Sequence, residues 1–332
     1  MSYDSDQKRD MSGAGDERAS AAFLDKCRPK LRQLEDIRLD KLRKFEFRRK
    51  VALPIGAVLT PIFGYIDYWL LLWQRGNDDA FAGLTVVVLG GLWAWMNSPK
   101  RQYARAYKKD ILPDIARLFG NFEYDNSGKI PMAAMKPSKI VPTHTSYSSE
   151  DFFTGQCKGV DINFSEIKLE RRSNKSTVTV FKGLAILLTN GTKRFHGHTV
   201  LTRDLGKIGG WFKKVTSNFQ RADLVDPEFE KLFDVFTTDQ VEARYLIDPR
   251  IVENLKTLYR EYSGTQMMAA FYDDHFLILI GSKVNHFEPA DIRTPATDEA
   301  GLLAMKREIA EILSIVEKLS LYDPRKAREA AA

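Results

Sequence analysis

The sequence predicts an α+β protein in which an N-terminal transmembrane helical hairpin precedes a cytosolic domain with an antiparallel sheet and packed helices. Three observations lead to this fold class. Two long apolar runs lie within residues 51–98, strand-like segments follow one another at short spacing after residue 120, and an amphipathic helical pattern closes the chain. These features divide the chain into a disordered tail (1–20), a basic amphipathic juxtamembrane helix (21–50), the hairpin (51–98), a second juxtamembrane helix (99–119), the α+β domain (120–322) and a short tail (323–332).

The two apolar runs are long enough to cross a membrane. Val51–Trp73 contains one carboxylate, Asp67, and at 1.5 Å per residue it reaches about 35 Å, more than the ~30 Å of a hydrocarbon core. Ala80–Met96 carries no charge and, when extended to Ser98, reaches about 28 Å. Asp67 is expected to be solvated near the outer headgroups, because it lies about 25 Å along the helix from Lys50.

The basic residues predict the orientation of this hairpin. Arg48, Arg49 and Lys50 directly precede the first run, and five Lys and Arg residues lie between Lys100 and Lys109, whereas the intervening loop has only Arg75 beside two aspartates. The positive-inside tendency therefore predicts two spans with both termini cytosolic. Aromatic residues cluster at the two ends of the runs, where bilayer interfaces hold such rings: Tyr65, Tyr68, Trp69, Trp73, Trp93 and Trp95.

Charge and cysteine content exclude several classes of protein. The net charge is +6, and residues 26–50 alone hold eleven Lys and Arg against four Asp and Glu. The rest of the chain is therefore close to neutral, which argues against a nucleic-acid surface. The two cysteines, Cys27 and Cys157, are too few for a Cys-rich zinc site or a disulfide framework, and we expect reduced thiols.

The segment after residue 120 reads mainly as strands, with helices between and after them. Residues 130–149 contain three prolines and several Ser and Thr, so they are predicted to be a surface loop. Thr237 and Gln240 form a capping-box pattern. The predicted strands are Phe122–Tyr124, Phe152–Lys158, Val160–Ile167, Lys168–Arg172, Thr177–Thr189, Arg194–Leu201, Phe233–Phe236, Met267–Tyr272 and His275–Ile280. The predicted helices are Asp239–Leu246, Pro249–Tyr262 and Asp298–Leu319.

Several stretches of the domain carry a resemblance to a known family. They are Asp226–Phe236, Asp239–Leu246 with its Gln-Val-Glu-Ala-Arg-Tyr core, Val180–Leu184, Phe195–Val200 and Phe287–Pro289. Together with the basic flanks of the two spans, they resemble a bacterial family of uncharacterised two-span membrane proteins, domain of unknown function 3137, over roughly residues 30–322. The resemblance implies a place in the bacterial inner (cytoplasmic) membrane and carries over no catalytic residue.

Two histidines are the weak candidates for a metal site. His196 and His198 lie two apart on a predicted strand, so both rings would project from one face. A zinc or copper site needs three or four ligands, and the neighbouring sequence supplies no obvious third. No phosphate-binding loop, dinucleotide fingerprint or nucleophile elbow is present, and capping and ion pairing account for Asp239, Glu242 and Arg244. We therefore predict no metal, no cofactor and no catalytic residue.

One stretch of the domain has the character of a membrane-interface segment. In Leu205–Arg221, apolar residues recur every three or four positions among cations, a pattern that can lie in the headgroup region. The alternative is a helix or loop that covers one end of the sheet with its lysines solvated. The interface candidates are Lys207, Trp211, Phe212, Lys213 and Lys214.

These patterns predict a non-enzymatic interaction or scaffold module at the cytosolic face of the inner membrane. A first alternative is a lipid- or envelope-sensing module that uses Lys26–Lys50 and Leu205–Arg221. A second alternative is an enzyme with an unrecognised site in the α+β domain. The expected partners are the lipid bilayer, anionic lipid headgroups, and unknown proteins or a second copy of the chain, without nucleic acid.

Overall fold

The chain divides into two compact units. The helical unit comprises Met1–Ile111 with Glu288–Gly301, and the sheet unit comprises Leu112–Phe287 with Leu302–Ala332. The computed structural model describes the chain as follows: residues 3–73, 83–118, 122–173, 176–191, 194–203, 218–222, 233–247, 249–261, 266–285, 287–297 and 299–303, together with 306, 307, 309, 310 and 313.

A single long helix begins the helical unit. Helix α1 (Tyr3–Trp73) has 71 residues, so the predicted juxtamembrane helix and the first apolar run are one continuous element. Residues 3–20, for which the sequence predicts a disordered tail, lie within this helix. Pro29, expected in a first helical turn, lies inside α1, although an interior proline costs about 3 kcal/mol.

The second helix also joins two predicted elements. Helix α2 (Gly83–Ala106) continues from the second apolar run through Pro99, so residues 99–119 do not begin a separate helix. The interruption expected near Pro113 is confirmed: a π-helical turn (Tyr107–Ile111) precedes helix α3 (Leu112–Leu118). A π turn widens the hydrogen-bond spacing just before the residue that has no amide hydrogen to donate.

The sheet unit confirms the predicted antiparallel sheet. Within the described residues, nine strands form one sheet in the order β1-β2-β3-β4-β9-β8-β5-β7-β6, and every neighbouring pair is antiparallel. The strands are β1 (Phe122–Asp125), β2 (Ser146–Cys157), β3 (Val160–Ser173), β4 (Ser176–Thr189), β5 (Thr199–Arg203), β6 (Gln220–Arg221), β7 (Asp234–Thr237), β8 (Gln266–Tyr272) and β9 (His275–Gly281).

Both faces of the central strands are covered. Every residue of β8 and β9 except the first of each is buried, which is why these strands read as continuous apolar runs rather than as alternating ones. One face carries a core around Ala185, Leu187, Leu277 and Leu279. On the opposite face the rings of Phe153 and Phe164 stack at 4.6 Å, and Phe287 packs 4.9 Å from Phe153.

The prediction of a surface loop at residues 130–149 is wrong. This segment forms a short helix, α4 (Met132–Met135), and a 3₁₀ turn (Lys136–Ser138), and β2 already begins at Ser146. Its apolar residues cover one face of the sheet and are buried there: Ile130, Met135, Ile140 and Val141. Prolines and hydroxyl residues indicate breaks in regular structure, but they do not reveal whether a segment packs on a core.

The remaining helices agree with the sequence in place and differ in detail. Helices α5 (Gln240–Leu246) and α6 (Pro249–Glu261) match two predicted helices. The residue that caps α5 is Asp239, which accepts from the amides of Val241 and Glu242, and not Thr237, whose hydroxyl bonds Thr199 on β5 instead. Of the predicted C-terminal helix, residues 300–303, 306, 307, 309, 310 and 313 are described and helical.

Candidate functional site

An apolar belt of exposed side chains runs along the C-terminal part of α1 and along α2. Of the twenty large hydrophobic side chains that are exposed among the described residues, fourteen lie between Leu53 on α1 and Trp95 on α2. Soluble proteins rarely expose a contiguous apolar surface of this kind. Among the described residues, the stretch Ala21–Leu70 of α1 is long and apolar enough to cross a membrane. Only 11% of its most apolar 18-residue window is buried. The belt is therefore the candidate surface for lipid contact.

Helix α2 meets α1 in reverse chain order along this belt. Asp67 bonds Thr85, Leu92 packs over Gly56, and Arg48 donates to the carbonyl of Trp95 at 2.9 Å. As the position on α1 falls from 67 to 48, the position on α2 rises from 85 to 95. Part of the second apolar run, Ala80–Ala82, lies outside the described residues.

Asp67 is not solvated, which corrects the expectation from its depth. Its side chain is 8% exposed, and Oδ2 accepts from the amide of Thr85 at 3.1 Å and from its hydroxyl at 2.5 Å. Thr85 lies in the first turn of α2, where amide hydrogens lack partners within the helix and the helix dipole is positive. The carboxylate of one helix therefore caps the other, an arrangement that depth along α1 alone does not reveal.

The cations near the belt include both paired and unpaired side chains. Far from the belt, Lys44 contacts Asp40 and Lys108 contacts Glu288. At its edge, the guanidinium of Arg48 lies 5.0 Å from the Trp95 ring, and that of Arg101 lies 5.6 Å from the Trp93 ring. Lys100 pairs with Asp291 at this edge. Among the described residues, five other cations there form no ion pair with a carboxylate: Arg48, Arg49, Lys50, Arg101 and Arg105.

Residues 292–296 are held on α1 by polar contacts with Glu35 and Arg38. Arg38 is 4% exposed, pairs with Glu35 at 2.6 Å and donates to the carbonyl of Ile292 at 2.7 Å. Glu35 in turn accepts from the amide of Ala296 at 2.7 Å. The hydrogen bond from Arg38 lowers the pKa of the Glu35 carboxyl, and burial raises the pKa of neighbouring Tyr103 to about 12.

In the sheet unit, Glu242 joins two of the stretches that carry the family resemblance. The carboxylate is 2% exposed and accepts from the backbone amides of His196, at 2.8 Å, and Gly197, at 2.6 Å. Residues 194–198 are therefore not part of a strand, contrary to the prediction for Arg194–Leu201, and β5 begins only at Thr199. The amides that a strand neighbour would have used are taken by this carboxylate.

His198 is held in an aromatic stack rather than displayed beside His196. Its ring stacks on Tyr272 at 5.7 Å and meets Phe219 edge-on at 5.0 Å, while Nε2 donates to the carbonyl of Ser138 at 2.9 Å. Burial lowers the pKa of His198 and raises that of Tyr272. Neither histidine belongs to a group of three or more metal-ligand side chains among the described residues, and the prediction that no metal binds stays a prediction.

The membrane-interface candidates lie outside the described residues. Lys207, Trp211, Phe212, Lys213 and Lys214 all fall in the interval 204–217.

A cleft of about 190 Å³ opens on the sheet unit where β9 ends. Its charged walls come from cross-strand pairs of like sign, Glu150 opposite Glu166 and Lys168 opposite Lys182. Like charges directly opposite each other destabilise a sheet, and here Lys168 is offset by its ion pair with Glu170. The sequence did not predict the cleft, because charged residues that alternate along a strand are indistinguishable from any solvated face. The lining residues are Ser148, Glu150, Glu166, Ile167, Lys168, Lys182, Gly183, Val284 and Asn285.

Comparison with known proteins identifies a domain and gives no activity. Residues 179–321 match the family described as "Protein of unknown function (DUF3137)", which confirms the family resemblance over that part of the chain. No curated protein and no solved structure matches the sequence.

Proposed function

We propose that this protein, whose residues 179–321 carry the DUF3137 domain, is a membrane-anchored interaction module. Helices α1 and α2 form a two-span hairpin in the bacterial inner membrane, and both termini and the sheet unit lie in the cytosol. The module binds other proteins rather than catalysing a reaction.

The apolar belt bounded by cations at one end is the observation that carries the membrane part. Lipid is the occupant that suits fourteen exposed large hydrophobic side chains on two adjacent helices. Tyr65, Tyr68 and Trp69 near one end and Trp93 and Trp95 near the other match the two interfaces of a bilayer. Arg48 and Arg101 contact the second aromatic pair, so by the positive-inside tendency that end faces the cytosol.

The proposal that the module is not an enzyme is supported by the hydrogen bonds of Glu242 and His198. Glu242 is occupied by two backbone amides, and the Nε2 of His198 is occupied by the carbonyl of Ser138. General acid or base chemistry needs a group that can reach a substrate proton, and both side chains instead bind the fold itself.

Reporter fusions test the topology. A reporter inserted after Asp79 should lie outside the cytosol, and one after Leu321 should lie inside. A third reporter in the exposed turn after Asn126 serves as an internal control and should agree with Leu321. If the reporters after Asp79 and Leu321 lie on the same side, the two-span hairpin is ruled out.

A lipid-sensing module is the second candidate, and a specific observation favours it. Arg49, Lys50, Arg101 and Arg105 lie at the edge of the belt without an ion pair to a described carboxylate, and lipid phosphates suit such cations. We expect the unaltered protein to assemble into nanodiscs that contain anionic lipid in preference to neutral nanodiscs when both are offered. Arg49→Gln with Arg101→Gln should abolish this preference. Lys44→Gln, which removes a cation already paired with Asp40, is the matched control. No preference in the unaltered protein would contradict this candidate.

A lipid-crosslinking experiment tests the candidates in the interval 204–217. Trp211→Ser with Phe212→Ser should weaken binding of the protein's sheet unit to lipid, read out as loss of crosslinks from this interval to labelled lipids. Crosslinking that is absent beforehand or unchanged afterwards would contradict a role in the interface.

A further inference from the structure

Half of strand β4 has a free edge. β4 pairs with β3 from Ser176 to Thr189, with a bulge at Val180, but β9 pairs only with Gly183–Thr189. Among the described residues, no strand pairs with Ser176–Phe181 on the β9 side, and at Lys182 the carbonyl accepts from the amide of Ser282 just beyond β9. A free strand edge presents a row of backbone amides and carbonyls that another strand can pair with.

Gly183 marks the point where this edge opens. Its φ is +154°, and a Cβ there would lie 2.0 Å from the carbonyl oxygen of Ile280, so only glycine allows the backbones of β4 and β9 to approach this closely. The amide of Ser282 makes the last contact, a 3.0 Å bond to the carbonyl of Lys182. Ser282 then accepts from the amide of Val284 at 3.1 Å in a tight turn, and the chain leaves the edge.

The free segment is chemically suited to strand pairing. Its sequence, Ser-Thr-Val-Thr-Val-Phe, is rich in β-branched residues and has no proline. Residues Ser176–Thr179 are exposed, and Val178 is 49% exposed. Val180 and Phe181 pack on the core and hold the strand extended, so a partner would meet a preformed edge.

Charge decides which partner fits. Around the edge, the cations Arg171, Arg172 and Lys182 form no ion pair with a described carboxylate, and Lys168, opposite Lys182, is paired with Glu170. A second copy of the chain pairing edge to edge would bring these cations together, which opposes self-association. Glu150 and Glu166 line the cleft next to Lys182. Their carboxylates would repel an acidic partner, so the surface that attracts acidic side chains ends at Lys182.

We propose that the Ser176–Phe181 edge of β4 binds an extended acidic segment of a protein partner by β-strand addition. Main-chain hydrogen bonds to the edge supply the affinity, and contacts of acidic side chains with Arg171, Arg172 and Lys182 supply the selectivity. This inference rests on the proposed function as an interaction module, and it names where and what that module binds.

The experiment uses the full chain in lipid nanodiscs and a labelled seven-residue peptide, Thr-Glu-Val-Glu-Val-Glu-Thr. Fluorescence anisotropy should show saturable binding that weakens at least about tenfold when the three glutamates are replaced by lysine. Hydrogen exchange should show that the acidic peptide protects amides within residues 176–181.

Two pairs of substitutions isolate the role of charge. Arg171→Glu with Arg172→Glu should weaken binding of the acidic peptide about tenfold or more, because it reverses the charge beside the edge. Lys129→Glu with Lys136→Glu changes the net charge equally at two exposed positions away from the edge and should leave binding within about twofold. Thermal melting of both variants shows that each is folded.

Several results would overturn the inference. They are no binding of the acidic peptide, equal binding of the acidic and basic peptides, unchanged binding by the Arg171→Glu, Arg172→Glu variant, or protection outside residues 176–181. Protection of 176–181 on concentrating the protein alone would show self-pairing and would also overturn it. The topology reporters decide the membrane proposal independently, so either proposal can fail without the other.

Discussion

The carboxylate of Glu242 on α5 accepts a hydrogen bond from the backbone amide of Gly197 at 2.6 Å, across 45 residues of chain. The same carboxylate accepts from the amide of His196 at 2.8 Å. A Cβ at Gly197 would lie 2.6 Å from the Cβ of Asp239, so the loop approaches α5 closely because residue 197 has no side chain. This buried clamp joins the Phe-His-Gly-His and Gln-Val-Glu-Ala-Arg-Tyr stretches and orients the start of β5.

Replacing Glu242 should therefore destabilise the sheet unit. Glu242→Ala leaves two amides without their partner in a buried place, and a lost hydrogen bond to a charged group costs about 1.5–3 kcal/mol. We expect a melting temperature several degrees lower, measured by tryptophan fluorescence of the detergent-solubilised protein. Glu253→Ala, which removes an exposed carboxylate from α6, is the control and should change the melting temperature by a degree or less. Equal effects of the two substitutions would contradict the clamp.

The Arg38–Glu35 pair should hold residues 292–296 on α1. Arg38→Gln leaves the part-buried Glu35 without its cation and removes the bond to Ile292. Hydrogen exchange in nanodiscs should then be faster at the amide of Ala296, which bonds Glu35. Lys44→Gln breaks an exposed pair on the same helix and should leave that exchange rate unchanged. Unaltered exchange in Arg38→Gln would show that the segment is held by other contacts.

Asp67 and Thr85 should be coupled in the packing of α1 against α2. Hydrogen bonds between helices in a membrane contribute about 0.6–2 kcal/mol, so Asp67→Leu and Thr85→Val should each lower the melting temperature in nanodiscs. The double variant should be no worse than the more harmful single one, because both remove the same interaction. Thr60→Val is the control, since the Thr60 hydroxyl bonds the carbonyl of Gly56 on its own helix. Fully additive effects would argue against the coupling.

His198 should make the stability of the sheet unit depend on pH. Burial lowers the pKa of His198 below its usual 6.5, so the folded state binds this proton less readily than the unfolded chain. The contribution of neutral His198 to the free energy of unfolding is complete above pH 6.5. It is lost as the pH falls toward the lowered pKa of His198 in the folded state. His198→Gln keeps a donor for the Ser138 carbonyl and cannot take up a proton, so its melting temperature should fall less between pH 7.5 and pH 5. Parallel curves for the two proteins would contradict this assignment.

Local pattern along the chain was enough to identify many elements of this fold. Runs of β-branched and apolar residues located β4, β8 and β9, and the antiparallel sheet followed from strands without helices between them. Pro113 marked the interruption before α3. These inferences succeed because side-chain periodicity and backbone preference act within a few residues, so the sequence of one segment contains the information that determines it.

The tertiary structure alone decided what each polar group binds. It placed Asp67 on the first turn of α2, Glu242 on the amides of the 196–197 loop, and His198 between aromatic rings, and it left half of β4 without a neighbour. Each of these results depends on which distant segment reaches a given side chain or strand edge. Because such contacts join residues tens or hundreds of positions apart, no pattern within a short segment specifies them.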